Sequence, residues 1–177
     1  MVSPDKCLNS SYRPEVEYVD GMLVERGLPT IAHGLLQTIL IEHFGTRRKE
    51  LRLAVLPDVR TQIVKRARYR IPDLMLRPVP IPSGKIVGTV PWVVIETLSP
   101  EDRFPELLAR FRDYNQIGVA HILLLDPGEL IAYRFVDGSL TVRRFTSIAL
   151  PTGSLPFDTE AIFRKLAEER HEGTNPA

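Results

Sequence analysis

At 177 residues the chain suits one domain and can bury a core without disulfides or a structural metal. Its 44% hydrophobic and 25% charged residues are those of an ordinary globular protein, and a net charge of +1 excludes a general attraction to polyanions. Cys7 is the only cysteine, which excludes an intrachain disulfide and a cysteine-built zinc site and suits a reducing, cytoplasmic setting.

Residues 1–14 are polar, carry Pro and Ser, and read as a flexible arm ahead of a single domain over 15–170. They lack the apolar stretch of a secretory signal, and apolar runs such as Ile122–Leu125 fall far short of the ~20 residues of a membrane helix. Glu15–Val19 and Met22–Arg26 read as a hairpin, because the intervening Asp20-Gly21 is a favoured type I′ turn pair. Pro29-Thr30 then opens a helix to Phe44, with Leu35, Leu36, Ile39 and Leu40 in one stripe and Gly45 as its stop. Leu51–Leu56, Val59–Val64, Tyr69–Leu76 and Val90–Leu98 are strand candidates.

A second helix spans about Pro105 to Ile117, with Leu107, Phe111 and Tyr114 on one face and Gly118 at its end. Val119–Leu125 reads as a buried strand, and Leu130–Val136 pairs with Leu140–Phe145 around Asp137-Gly138. Asp158 is a good N-cap for a last helix to about Glu169, and 171–177 reads as a frayed tail. This order argues for an α/β fold of the α+β type, a mixed sheet flanked by helices.

Two acids stand inside apolar strands. Alternation puts Glu96 on one face with Trp92 and Val94, and Asp73 on one face with Tyr69, Ile71 and Met75. An ionised carboxylate buried without a partner costs several kcal/mol, so each acid requires one. Either acid alone is read equally well as half of a structural salt bridge. Together, on strands adjacent in sequence, they can converge on a hard divalent cation such as Mg²⁺, which binds through one or two carboxylates.

Ile-Pro-Asp at 71–73, Val-Ile-Glu-Thr-Leu-Ser-Pro at 94–100, Tyr114, Gly118-Val119 and Leu125-Asp126-Pro127 resemble the pattern of the Uma-two family. Those proteins are candidate endonucleases of the PD-(D/E)XK, restriction-endonuclease-like superfamily. Glu17-Tyr18-Val19-Asp20-Gly21 and His33 fit the same pattern. The resemblance implies Asp73 and Glu96 as metal ligands for Mg²⁺ (or Mn²⁺), with Glu17 and His33 completing the site. It also calls for a lysine either two residues after the glutamate or four before the tyrosine. Leu98 and Arg110 hold those places here. Arginine keeps the charge but stays protonated, so it serves electrostatics without acting as a base. Without the resemblance, Arg110 reads as a solvent-facing residue.

Arg47, Arg48, Lys49 and Arg52 cluster after the first helix, and Arg60, Lys65, Arg66, Arg68 and Arg70 follow. Alternation turns Arg66, Arg68 and Arg70 away from Asp73, as a solvated or edge-protecting face. The reading is a Mg²⁺-dependent nuclease acting on nucleic acid, DNA in the first place, as a homodimer. Its rival is a catalytically degenerate nucleic-acid-binding or assembly module on the same fold. Neither a nucleophile elbow around Ser99 nor a phosphate-binding glycine loop is present.

Overall fold

The computed structural model describes residues 1–65, 67–81 and 83–172, with side chains through residue 170. Helix α1 (Pro4–Asn9) begins where Ser3 accepts a hydrogen bond from Lys6 N at 3.2 Å. This corrects the flexible arm, because Cys7 of α1 is fully buried with Tyr18 and Tyr69. A serine cap followed by proline starts a helix, a signal that overall polarity hides. Strands β1 (Val16–Val19) and β2 (Met22–Glu25) form the expected hairpin, with Asp20 at φ 49° and Gly21 at φ 91° supplying its turn.

Helix α2 (Ile31–Gly45) is capped by Thr30 and buries His33, Leu36, Ile39, Leu40 and Phe44. After it come β3 (Leu53–Pro57) and β4 (Thr61–Val64). The continuous strand expected over Tyr69–Leu76 is instead two, β5 (Arg68–Arg70) and β6 (Leu74–Pro78), in different sheets. Pro72 lies at the break, where a residue without an N–H cannot carry a ladder forward. Strand β5 joins a four-stranded sheet in the order β2-β1-β5-β4.

The remaining elements are β7 (Val93–Thr97), α3 (Phe104–Gln116), β8 (His121–Asp126), β9 (Ile131–Val136) and β10 (Ser139–Val142). They complete a six-stranded sheet in the order β10-β9-β8-β7-β6-β3. Only β7 and β8 pair in parallel there, and α3 is their crossover. A two-stranded unit, β11 (Ser147–Leu150) and β12 (Gly153–Pro156), was not anticipated from the sequence. Helix α4 (Thr159–Glu172) follows, with Asp158 Oδ1 accepting from Glu160 N at 3.0 Å. The predicted frayed tail lies outside the described residues from 173 onward.

Each face of the large sheet is covered. Leu74, Leu76, Val93, Ile95, Leu123 and Leu125 pack with residues of α2, α4 and β11–β12. On the other face Met75, Val94, Ile122 and Leu124 meet Leu107, Phe111 and Tyr114 of α3 and Ile63 of β4. Burial on both faces accounts for the near-continuous apolar runs of β7 and β8. The α/β class inferred from the element order is the class observed. Among the described residues, no helix is long and apolar enough to cross a membrane.

Candidate active site

Asp73 stands just ahead of β6, and Glu96 lies near the end of β7. Leu74 is in register with Ile95, which sets the preceding Asp73 beside Glu96. Both acids are buried, at 3% and 1% exposure. Asp73 Oδ2 accepts from Thr97 N at 2.7 Å, so the first acid is pinned to the strand that carries the second. Glu96 Oε1 accepts from the Tyr114 hydroxyl of α3 at 2.6 Å. The Glu96 carboxyl is pushed up from its ordinary 4.5 to about 8 by burial and by the charge of Asp73, against the pull of Arg110, Arg26 and the Tyr114 hydrogen bond. The Tyr114 hydroxyl is driven well above the usual range, by burial first and then by Glu96, and remains a neutral donor.

The route by which Asp73 becomes buried differs from the one read in the sequence. Strand alternation does not run through Pro72, and Tyr69 belongs to a separate cluster with Cys7 and Tyr18. Trp92 likewise precedes β7 and packs on the opposite side of the sheet from Val94. Asp73 is held by the sheet junction and by hydrogen bonds rather than by a regular inward face, whereas Glu96 does share the face of Val94, toward Tyr114 of α3.

Glu17 of β1 sits among arginines. Its Oε1 accepts from Ile71 N at 3.0 Å, and its Oε2 accepts from Arg70 Nη1 at 2.6 Å with Arg110 Nε at 3.4 Å. Arg70 also reaches Asp113 of α3 at 2.7 Å, and Arg68 bridges Asp113 and Asp20. The solvated face expected for these arginines is therefore corrected. Arg70 is 6% exposed and belongs to an ion-pair ladder that clamps the small sheet to α3. Burial becomes possible because every guanidinium in it meets carboxylates from two elements. Arg66 lies outside the described residues.

Arg110 is buried, not solvent-facing, between Glu17 and Asp102, whose Oδ1 is 3.6 Å from Nη1. Burial disfavours its charge, but Glu96 and Glu17 outweigh that and keep it protonated. His33 presents Nε2 to Asp73 Oδ1 at 3.6 Å and holds Ser99 Oγ through Nδ1 at 3.2 Å. All of the sequence-predicted site residues thus converge, with Glu17 set behind Arg110 and Ile71.

Sequence inspection missed Arg26, Gln37, Asp58 and Asp102. Arg26 bonds Asp73 Oδ1 through Nη2 and Asp58 Oδ1 through Nη1 at 3.1 Å. Gln37 Nε2 donates to Asp73 O at 2.7 Å and to Asp58 Oδ2 at 3.0 Å. These contacts join loops and a helix across long sequence separations, so no local pattern marks them. Tyr114 had a signal, since a hydroxyl on a buried apolar stripe needs a partner.

Arg26, His33, Gln37, Asp58 and Asp73 line an open cleft of about 270 Å³. Among the described residues, no group of three or more His, Cys, Asp or Glu is gathered so as to hold a metal by itself. The paired carboxylates nevertheless fit a small hard cation that fills its other positions with water.

The mixed sheet, its parallel β7–β8 crossover and the flanking helices define a restriction-endonuclease-like protein. The family Uma2, described as "Putative restriction endonuclease", matches residues 7–155, and the chain belongs to it. The fold is similar to the crystal structure of "a putative nuclease belonging to DUF820" from Anabaena variabilis, with a TM-score of 0.77 and 18% identity over 94% of this chain and 99% of that one. No functionally curated protein matches the chain in sequence.

Proposed function

We propose that the protein is a divalent-metal-dependent endonuclease that hydrolyses phosphodiester bonds of DNA, with Mg²⁺ or Mn²⁺ held by Asp73 and Glu96. The observation that carries this reading is the pair itself, two buried carboxylates set side by side at the junction of β6 and β7, one of them opening onto a cleft. A divalent ion there supplies Lewis-acid stabilisation of phosphate charge and lowers the pKa of a water. Thr97 N orients Asp73 through Oδ2 and the Tyr114 hydroxyl orients Glu96 through Oε1, while Asp73 Oδ1 is met by Arg26. His33, steadied by Ser99, faces the cleft and can orient a water or a phosphate oxygen. Arg110 adds fixed positive charge behind Glu96 but releases no proton. A homodimer would offer one such centre to each strand of a duplex.

The test is nicking of supercoiled plasmid and cleavage of single strands with Mg²⁺ and Mn²⁺. Slow cleavage is expected from the wild type and none from Asp73→Ala. Arg110→Lys should raise the rate by at least about tenfold, a threshold set below the ~10²–10⁴ that general-base assistance supplies. If Arg110→Lys and Arg110→Ala both match the wild type, Arg110 has no part in the reaction. A second reading, a nucleic-acid-binding module without turnover, draws support from the way Glu17 and Asp102 hold Arg110. DNA binding with no cleavage in either cation would be its result.

A further inference from the structure

The candidate centre already contains a cation. Arg26 stands in the irregular stretch between β2 and α2, next to Gly27, and its backbone N–H is fixed by Glu15 O at 3.0 Å. The two ends of its guanidinium meet different surroundings. Nη2 bonds Oδ1 of Asp73, a side chain 4% exposed, while Nη1 bonds Oδ1 of Asp58, a side chain 44% exposed. Of the Asp73 oxygens, Oδ2 is committed to Thr97 N, so Oδ1 is the atom available to a ligand. Arg26 holds that atom, and His33 Nε2 faces it as well.

We propose that Arg26 is a built-in counter-cation that competes with a divalent ion for Asp73, neutralising the acid in the metal-free protein and giving way toward Asp58 when the ion binds. The inference rests on the metal-site reading given above. Three features favour exchange over a permanent pin. An unpaired Asp73 would be costly in the interior, so a resident cation is needed whenever no metal is present. Two cations on one carboxylate oxygen repel each other, so arrival of a divalent ion removes the reason for Arg26 to stay. Asp58, steadied by Gln37, is a second anchor already in contact with the guanidinium, and the fixed backbone makes the exchange a side-chain movement. The consequence is a metal affinity lower than the two acids alone would give.

Calorimetric titration with Mn²⁺ alone, on the full chain, tests this with the wild type, Arg26→Met, Arg26→Gln and Asp73→Asn. Arg26→Gln keeps a hydrogen-bond donor for Asp73, in case the methionine variant fails to fold. Both Arg26 variants should bind Mn²⁺ at least about tenfold more tightly, since a charge within ~4–6 Å typically moves such equilibria by one to three decades. Asp73→Asn should bind none. In EDTA both Arg26 variants should melt below the wild type, and mM Mn²⁺ should restore them to its level or above. Unchanged or weaker affinity in both variants, with wild-type binding intact, overturns the competition and leaves the metal site standing. A melting loss that Mn²⁺ does not restore marks Arg26 as a structural pin and also overturns it. Absence of Mn²⁺ binding in every protein overturns both this inference and the metal reading.

Discussion

At the scale of single residues, Glu96 states the electrostatic problem of the centre. Its carboxyl titrates near 8 in the folded chain against an ordinary 4.5, because burial and Asp73 both penalise its charge. The folded state therefore binds a proton more tightly than the unfolded chain does. That contribution is full below pH 4.5 and is lost as pH rises through about 8. Each pH unit across that window is worth up to about 1.4 kcal/mol, as an order of magnitude. Glu96→Gln resembles the protonated acid and can still accept the Tyr114 hydrogen bond. In EDTA its melting temperature should match the wild type near pH 5 and exceed it clearly at pH 8. An equal offset at both values would mean that Glu96 is not the group that titrates. If Glu96 holds the metal as proposed, Mn²⁺ affinity should climb with pH up to about 8, because binding would have to expel the Glu96 proton.

At the scale of elements, the ladder Asp20–Arg68–Asp113–Arg70–Glu17–Arg110 ties β1 and β5 to α3. Glu17→Gln removes the charge at the centre of that ladder and leaves Arg70 short of a partner. Breaking a buried pair typically costs ~3–5 kcal/mol, and since Arg70 keeps Asp113, a loss of about 3 kcal/mol is expected in denaturant unfolding. Mn²⁺ affinity should hardly change, because Glu17 spends both oxygens on Ile71, Arg70 and Arg110. A tenfold loss of Mn²⁺ affinity would instead make Glu17 a ligand. Elements with a local signature were legible in advance: the Asp-Gly hairpins, the capped helix α2 and the apolar β7 and β8. The Ser3-Pro4 start of α1 was there to be read, though it lay within a polar stretch. Strands β11 and β12 are four residues each, too short for their alternation to stand out, yet Ile148, Leu150 and Leu155 belong to the main core. The break at Pro72 was visible as a proline, but the hop between sheets was not, because it depends on which edge accepts each half. For the site, two buried acids could be found by their misfit with apolar neighbours. Arg26 and Asp58 could not, since an arginine and an aspartate in loops look solvated until the fold brings them to Asp73.

At the scale of the whole molecule, a net charge of +1 means that a polyanion must be held locally. The cleft at Asp73 shares Glu15 and Asp58 with a second cleft of about 430 Å³, whose walls carry Arg13, Arg60 and Lys85. Lys85 is positioned there by Asn9 of α1 at 2.8 Å, which gives the N-terminal helix a part in shaping that wall. A phosphodiester backbone lying along the second cleft would meet cations before its next phosphate reached the acidic pair. If these side chains make the contacts, binding to duplex DNA should weaken with salt at a log–log slope of about −0.9 per phosphate neutralised. Arg60→Ala should then reduce the magnitude of the slope by about 1 and weaken binding by a similar factor for every sequence, because phosphate contacts carry no base information. Fluorescence anisotropy of labelled duplexes in EDTA across a KCl series measures both quantities without cleavage. Mn²⁺ affinity serves as the control and should stay at the wild-type value, since Arg60 does not line the Asp73 cleft. A slope unchanged by Arg60→Ala would move the nucleic-acid path elsewhere on the molecule. The next surface to test would then be the wide cleft at the end of α2, lined by Arg48, Lys49 and Arg52.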